Sequence, residues 1–229
     1  MKKMSIKAFI GKCIFKIKEK IDFKCFKNKR KSKLNNTNFT IISNNCYAGW
    51  VYRYFNLPYY TPTVGLFIMP DDYIKLLNNL EFYFKKCKLE FIKPEESKYF
   101  DYLSIHVDRF KTYPIGKLGD VELHFLHYKS EKEAYEKWTR RAKRMNWDNI
   151  IIKFDDQNGC TLKNLNDFAN IKKYKKICFV AKEEEKIDDD FIYVKEFKKD
   201  TYMVDDTWFS NRYLNLIDFL NKDEKNDKN

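Results

Sequence analysis

Residues 39–69 read FTIISNNCYAGWVYRYFNLPYYTPTVGLFIM. The β-branched and aromatic run from Phe39 to Ile42 predicts a buried strand, after which the chain changes period and enters Ser43-Asn44-Asn45-Cys46-Tyr47-Ala48-Gly49. A strand, a polar elbow and a short helix follow one another. In an open α/β sheet such an elbow lies outside the carboxyl end of a strand, where ligands bind, and its side chains are of the small kind that also cap helices. The elbow is therefore the first candidate for an active site, with Ser43, Asn44 and Asn45 as substrate-binding residues.

The rest of the chain bears on this reading through composition. With 44% hydrophobic residues, 17% aromatics and only six glycines in 229 residues, the sequence has the makings of one folded domain plus an appendage. The formal charge of +12 points first to nucleic acid, but its distribution does not. Residues 1–33 hold thirteen Lys or Arg against Glu19 and Asp22, a net of +11, which leaves the remainder near +1. A neutral body and a basic arm make nucleic acid an unlikely partner. The six cysteines show no CxxC and no Cys/His pairing at zinc spacing, so a reducing compartment is expected and no metal site is predicted. Lysines interrupt every apolar run that could serve a signal peptide, and none reaches about 18 residues. The expected location is cytoplasmic, peripheral on the inner face of the membrane if the arm binds lipid.

In that arm, Ile6, Phe9, Cys13, Ile17 and Ile21 recur at helical spacing with lysines filling the opposite face. Two readings stay open: an interfacial helix on an anionic membrane surface, or an amphipathic helix docked on its own domain. The expected organisation is a basic amphipathic arm over 1–33, an α/β domain over 34–221 and a disordered tail over 222–229.

Within the domain a helix is expected from about Ala48 to Asn56, ended by Pro58, then a strand over Thr61–Ile68. Pro70-Asp71-Asp72 opens a helix reaching about Lys88. The irregular segment Phe91–Lys117 holds a candidate strand at Tyr102–Val107. Val121–Leu126 reads as a strand. Ser130 with Glu133 forms a capping-box pattern for a helix to about Met145. Strands over Asn149–Phe154, Lys176–Ala181 and Phe191–Val194, with helices from Thr161 to about Asn170 and from Thr207 to about Leu220, complete the alternation. Strands alternating with helices predict a three-layer α/β/α domain with a mostly parallel sheet.

Several side chains are candidates for chemistry. If the amides of Tyr47 and Ala48 open a helix, they would lower the Cys46 thiol pKa and offer donors to an oxyanion, the needs of a nucleophile; packing is the other reading of Cys46. His124 and His127 end one strand. His127, at its boundary, is the better candidate base for Cys46, against a structural histidine bonded to a loop carbonyl. Asp155 and Asp156 follow a hydrophobic strand, where carboxylates hold a metal or a sugar hydroxyl, although Asn158-Gly159 behind them is ordinary turn composition. Arg140 and Arg144 lie one turn apart on one helix face, suited to a phosphate or carboxylate, or to a solvated face with ion pairs. No Walker loop and no GxGxxG is present, so neither a P-loop nucleotide site nor a dinucleotide site is supported.

The elbow, the stretch Thr61-Pro62-Thr63-Val64-Gly65-Leu66, the run His124-Phe125-Leu126-His127 and the Trp138–Arg144 helix together resemble a bacterial family of uncharacterised proteins often labelled exopolysaccharide biosynthesis proteins. The resemblance spans roughly residues 39–220. It implies an α/β fold and a link to bacterial exopolysaccharide or capsule, with no particular reaction. The functional expectation is a transferase acting on sugars or sugar conjugates, with a sugar or sugar nucleotide as substrate. The alternative is a non-catalytic, membrane-associated binding or scaffold protein of the same machinery.

Overall fold

A computed structural model describes residues 21–22, 24–207 and 210–222. Its centre is a four-stranded parallel sheet of β1 (Thr40–Ser43), β5 (Ile150–Asp155), β6 (Lys175–Val180) and β7 (Phe191–Tyr193), in that spatial order. The apolar runs that make these strands continuous are what a sheet covered on both faces requires. Register places Ser43 beside Lys153 and Asp155 beside Phe179, so the carboxyl ends of β1, β5 and β6 line one edge.

Each face of that sheet carries its own core. On one face, alternate residues Ile42, Ile152, Phe154, Cys178 and Val180 pack against Tyr73 and Leu77 of α2 (Pro70–Asn78), Trp138 of α5 (Glu131–Ala142) and Phe168 of α6 (Leu162–Ala169). On the other, Ile41, Ile151, Ile177 and Phe179 meet Tyr47, Val51 and Tyr52 of α1 (Tyr47–Tyr54), together with Phe197, Met203 and Leu216. Helices therefore cover both faces. A second, antiparallel sheet of β2 (Leu89–Ile92), β3 (Ile115–Leu118) and β4 (Val121–His124) packs on the first core.

Local chemistry explains the boundaries. The Ser130 hydroxyl accepts from the Glu133 amide while Glu133 accepts from the Lys129 amide, which starts α5. Thr161 and Asn164 cap α6 reciprocally. At the elbow Cys46 occupies the N-cap position without capping, and the work falls to its neighbours: Asn45 Oδ1 accepts from the Tyr47 amide at 3.0 Å and Ser43 Oγ from the Ala48 amide at 3.2 Å.

Five expectations need correction. Thr61–Ile68 is irregular, because Pro62 and Gly65, at φ 75°, break any ladder and leave a single bridge from Phe67 to His124. The helix opened by Pro70 stops at Asn78, since Asn79 at φ −145° leaves the helical region, and α3 (Leu80–Lys85) begins after it. Of the expected strand Tyr102–Val107, residues Tyr102 to His106 are helical, within α4 (Phe100–His106), whose Leu103 is fully buried, and Val107 follows it in extended conformation. The strand from Val121 belongs to the antiparallel sheet, joined to β3 through Gly119 at φ 60°, so the sheet content is less uniformly parallel than the alternation predicts. The C-terminal helix is broken into α7 (Ser210–Tyr213) and α8 (Leu216–Asn221), with Asn215 capping the second.

Residues 24–31 are helical and seat against the domain. Arg30, 7% exposed, donates from Nε to the Tyr54 carbonyl at 2.9 Å and lays its guanidinium over the Tyr54 ring at 3.7 Å. The expected lipid-facing stripe from Ile6 to Ile17 and the tail beyond Lys222 lie outside the described residues. Among the described residues no helix is long and apolar enough to cross a membrane.

Candidate functional site

The carboxyl edge of the parallel sheet opens on a cavity of about 460 Å³. Beneath it lies a closed polar cluster built from three segments distant in sequence, which reaches the cavity through Asn45 and Asp206. Lys153, with no exposed surface, projects from β5 on the same face as Ile151 and Asp155, and its Nζ contacts Asp155 Oδ2 at 2.6 Å and Asp206 Oδ2. Asn44 donates to Asp155 Oδ1 at 2.8 Å. Asn45 donates from one amide nitrogen to Asp155 Oδ2 at 2.6 Å and Asp206 Oδ2 at 2.8 Å. The rings of Tyr47 and Phe179 lie 5.3 and 5.9 Å from the ammonium.

One ammonium serves two carboxylates here. Burial by itself lowers the Lys153 pKa, but Asp155 and Asp206 outweigh it and lift the group above its ordinary value. Burial pushes the Asp155 carboxyl up, against the attraction of Lys153 and with the repulsion of Asp206. The lysine thus stays charged and fixes both carboxylates in place. Asp206 uses one oxygen for Lys153 and Asn45, and it lines the cavity.

The cavity walls mix ring, amide and charge. Trp50 and Arg53 come from successive turns of α1, Gln157 and Asn158 from the loop after β5, and Asp205 and Thr207 from the segment after Met203. Asn158 at φ 56° and Gly159 at φ 75° turn that loop back toward the cavity, a conformation that Asn and Gly adopt with least strain.

The expected site residues separate into groups. Ser43, Asn44, Asn45, Cys46 and Asp155 meet at one edge of the sheet. Ser43 faces inward, its Oγ donating to the Asn45 carbonyl at 2.7 Å and accepting from Ala48, and so shapes the elbow. Cys46 lines the cavity, but burial, then Asp206, push its thiol up to about 11, the reverse of the lowering expected from the helix amides. Its Sγ lies 4.0 Å from the Leu66 carbonyl. His127 is exposed and does not line the cavity, and its backbone N–H donates to the Gly65 carbonyl at 3.0 Å. Arg140 and Arg144 are exposed and line no part of this cavity. Their neighbour Arg141 is the buried one, reaching Tyr128 Oη at 2.5 Å and the Val64 carbonyl at 3.3 Å.

Residues 17–222 match the profile described as a domain of unknown function (DUF1919). The chain belongs to the DUF1919 family. It is also 32% identical over 192 residues to an uncharacterised protein of Haemophilus influenzae, a match covering 82% of this chain and 85% of that one. The family span includes the seated helix at 24–31 as well as the whole sheet.

Lys153, Asp206, Arg53 and Trp50 of this DUF1919 chain were not among the expected site residues. A signal existed for Lys153: it interrupts Ile150-Ile151-Ile152 and Phe154, and a lysine inside a strand buried on both faces requires an internal counter-charge. No local pattern marks Asp206 as that partner, since 53 residues separate the two.

Proposed function

We propose that the protein is an enzyme of bacterial surface-polysaccharide synthesis, a transferase that moves a sugar from a sugar nucleotide to a hydroxyl of a second sugar or sugar conjugate. The observation that carries this reading is the Lys153–Asp155–Asp206 cluster with Asn44 and Asn45, buried beneath a cavity that Asn45 and Asp206 line. Interior ion clusters of this kind are often no more stabilising than apolar residues of the same volume, so one placed at a cavity at the carboxyl edge of an α/β sheet points to chemistry. The polysaccharide link rests on the resemblance of the elbow and its following blocks.

In this reading Asp206 is the group that meets substrate. The acceptor hydroxyl passes its proton to Asp206 as its oxygen bonds the anomeric carbon of the donor. The bond from that carbon to the donor phosphate oxygen breaks, and its electron pair leaves with the phosphate, whose charge faces Arg53. Lys153 and Asn45 hold Asp206, and Trp50 offers a ring face to the sugar. Cys46, protonated at neutral pH, forms wall.

The test is a panel of sugar nucleotides incubated with the full chain, read as release of nucleoside diphosphate. We expect turnover of at least one donor and a loss of about a hundredfold or more in Asp206→Asn. That variant leaves Lys153 paired one to one with Asp155, so its melting temperature should hold. Binding of a donor without turnover would make this a sugar-binding protein of the same machinery, the rival reading. Full activity in Asp206→Asn would remove Asp206 from the chemistry.

A further inference from the structure

Beside the first cavity lies a second, of about 310 Å³, at the lower end of the range of ligand pockets. Asp155 and Asp156 are successive residues leaving a strand, so their side chains diverge. Asp155 joins the lysine cluster under the first cavity, while Asp156 lines the second. The same two segments border both. Loop 155–160 supplies Asn158 to each, and the segment from Thr201 supplies Tyr202 to the second and Asp205 and Asp206 to the first. Met203, fully buried between those halves, is pinned by its amide to Asp156 Oδ1 at 2.6 Å, and the Ala181 amide reaches Oδ2 at 2.7 Å.

The chemistry of the second cavity differs from that of the first. Tyr102, from α4, and Tyr202, from the opposite segment, bring two aromatic rings to it, and Tyr202 is 51% exposed. The Tyr102 ring lies so close to Gly159 that a Cβ there would sit 3.1 Å from it, which fixes the ring against the loop. Each oxygen of Asp156 takes one backbone N–H and keeps a further acceptor direction. No Lys or Arg is among the described residues lining this cavity, whereas Arg53 lines the first. The basic side chain on its wall is His106, packed against Tyr102 at 4.4 Å between ring centroids, so a phosphate or carboxylate would meet Asp156 with neither a Lys nor an Arg to offset it. A neutral ring with an apolar face and hydroxyl edges finds the exposed Tyr202 ring, the Tyr102–His106 pair, a carboxylate and an amide.

We infer that this second cavity is a subsite for a neutral sugar ring of the acceptor glycan, adjoining the transfer site across Asn158. The inference rests on the transferase reading for the word acceptor, and on the cavity's own lining for the sugar. Burial pushes the Asp156 carboxyl up to about 7, so near neutral pH it takes part both as acceptor and as donor to a hydroxyl.

The experiment uses the full chain and two probes: a set of methyl glycosides and disaccharides of glucose, galactose, rhamnose and N-acetylglucosamine, followed by ligand-observed NMR titration, and the sugar-nucleotide panel above. At least one neutral glycoside should bind. Tyr202→Ala should weaken it about tenfold, and Tyr202→Phe should keep it within about threefold. Tyr202 is exposed and makes no hydrogen bond among the described residues, so neither change should move the melting temperature by more than a degree or two. Absence of binding by every glycoside, or unchanged affinity in Tyr202→Ala, overturns the inference whether or not donors are turned over. Glycoside binding that depends on Tyr202, without turnover of any donor, keeps the sugar subsite and rejects the transferase.

Discussion

His124 shows how one side chain can set a pH limit on the whole fold. It is fully buried, stacked on Phe67 at 4.6 Å between ring centroids, and neither ring nitrogen has a hydrogen-bond partner among the described residues; Glu122 Oε2 stands 3.9 Å away. Burial, with Lys98 adding to it, pulls its pKa down from 6.5 to about 3. The unfolded chain therefore takes up a proton near 6.5 that the folded chain refuses until about 3. Stability from this group is complete above 6.5 and falls across the window below it, on the order of 1 kcal/mol per pH unit. His124→Phe keeps the stacking and removes both the titration and the unpaired nitrogens. Thermal unfolding at pH 8 and pH 5 should show a smaller acid loss in the variant than in the parent, and equal losses would mean that His124 does not titrate this way. At this scale the sequence was informative where meaning is local. Asn44, Asn45 and Asp155 stand out because polarity follows directly on an apolar strand. Lys153 and Asp206 become meaningful only when folding brings them together, and the buried position of Arg141, between exposed Arg140 and Arg144, depends on which helix face meets Tyr128.

Among the elements, the helix at 24–31 is attached more firmly than a freely moving arm would be. Asn56 donates to Asn28 Oδ1 at 2.7 Å, and Arg30 adds its contacts with Tyr54 and an ion pair to Asp22 at 2.6 Å. Arg30→Ala should destabilise the domain by about 1–2 kcal/mol, lowering the melting temperature by several degrees. Arg30→Lys should recover only part, because an ammonium cannot both stack and reach the Tyr54 carbonyl. No change in either variant would show that this helix rests on the domain without contributing to it. The strands that were legible are β1, β5, β6 and β7, together with β4, which was read as a strand but not as part of a second sheet. Those that were not, β2 and β3, sit at the two ends of the irregular segment, and neither has the long apolar run of β5. Tyr102–Val107 misled because aromatic and β-branched content reads as strand, while its burial follows the helical position of Leu103 alone.

For the molecule as a whole, two cores on opposite faces of one sheet mean that its carboxyl edge is the place where elements from both layers converge. Alternation of elements was enough to predict the three layers, but not the added antiparallel sheet, which depends on pairings between strands that no crossover helix announces. Another feature concerns where the folded chain closes on itself. The Asn221 side chain accepts from the Asn35 amide and donates to the Lys33 carbonyl, each at 2.8 Å, so the first and last residues of the sheet domain are clasped together. Topologically the domain is nearly a ring with a removable joint. A rearranged gene that opens new ends in the solvent-exposed stretch around Glu184 and links Lys222 to Leu34 through a few glycines should yield a folded protein with the same near-ultraviolet circular dichroism and a cooperative melt. An insoluble or non-cooperative product would mean that the order of synthesis, or the helix at 24–31, is required for assembly. A folded one would make the domain a cassette, insertable into the surface loop of a host protein without straining either partner.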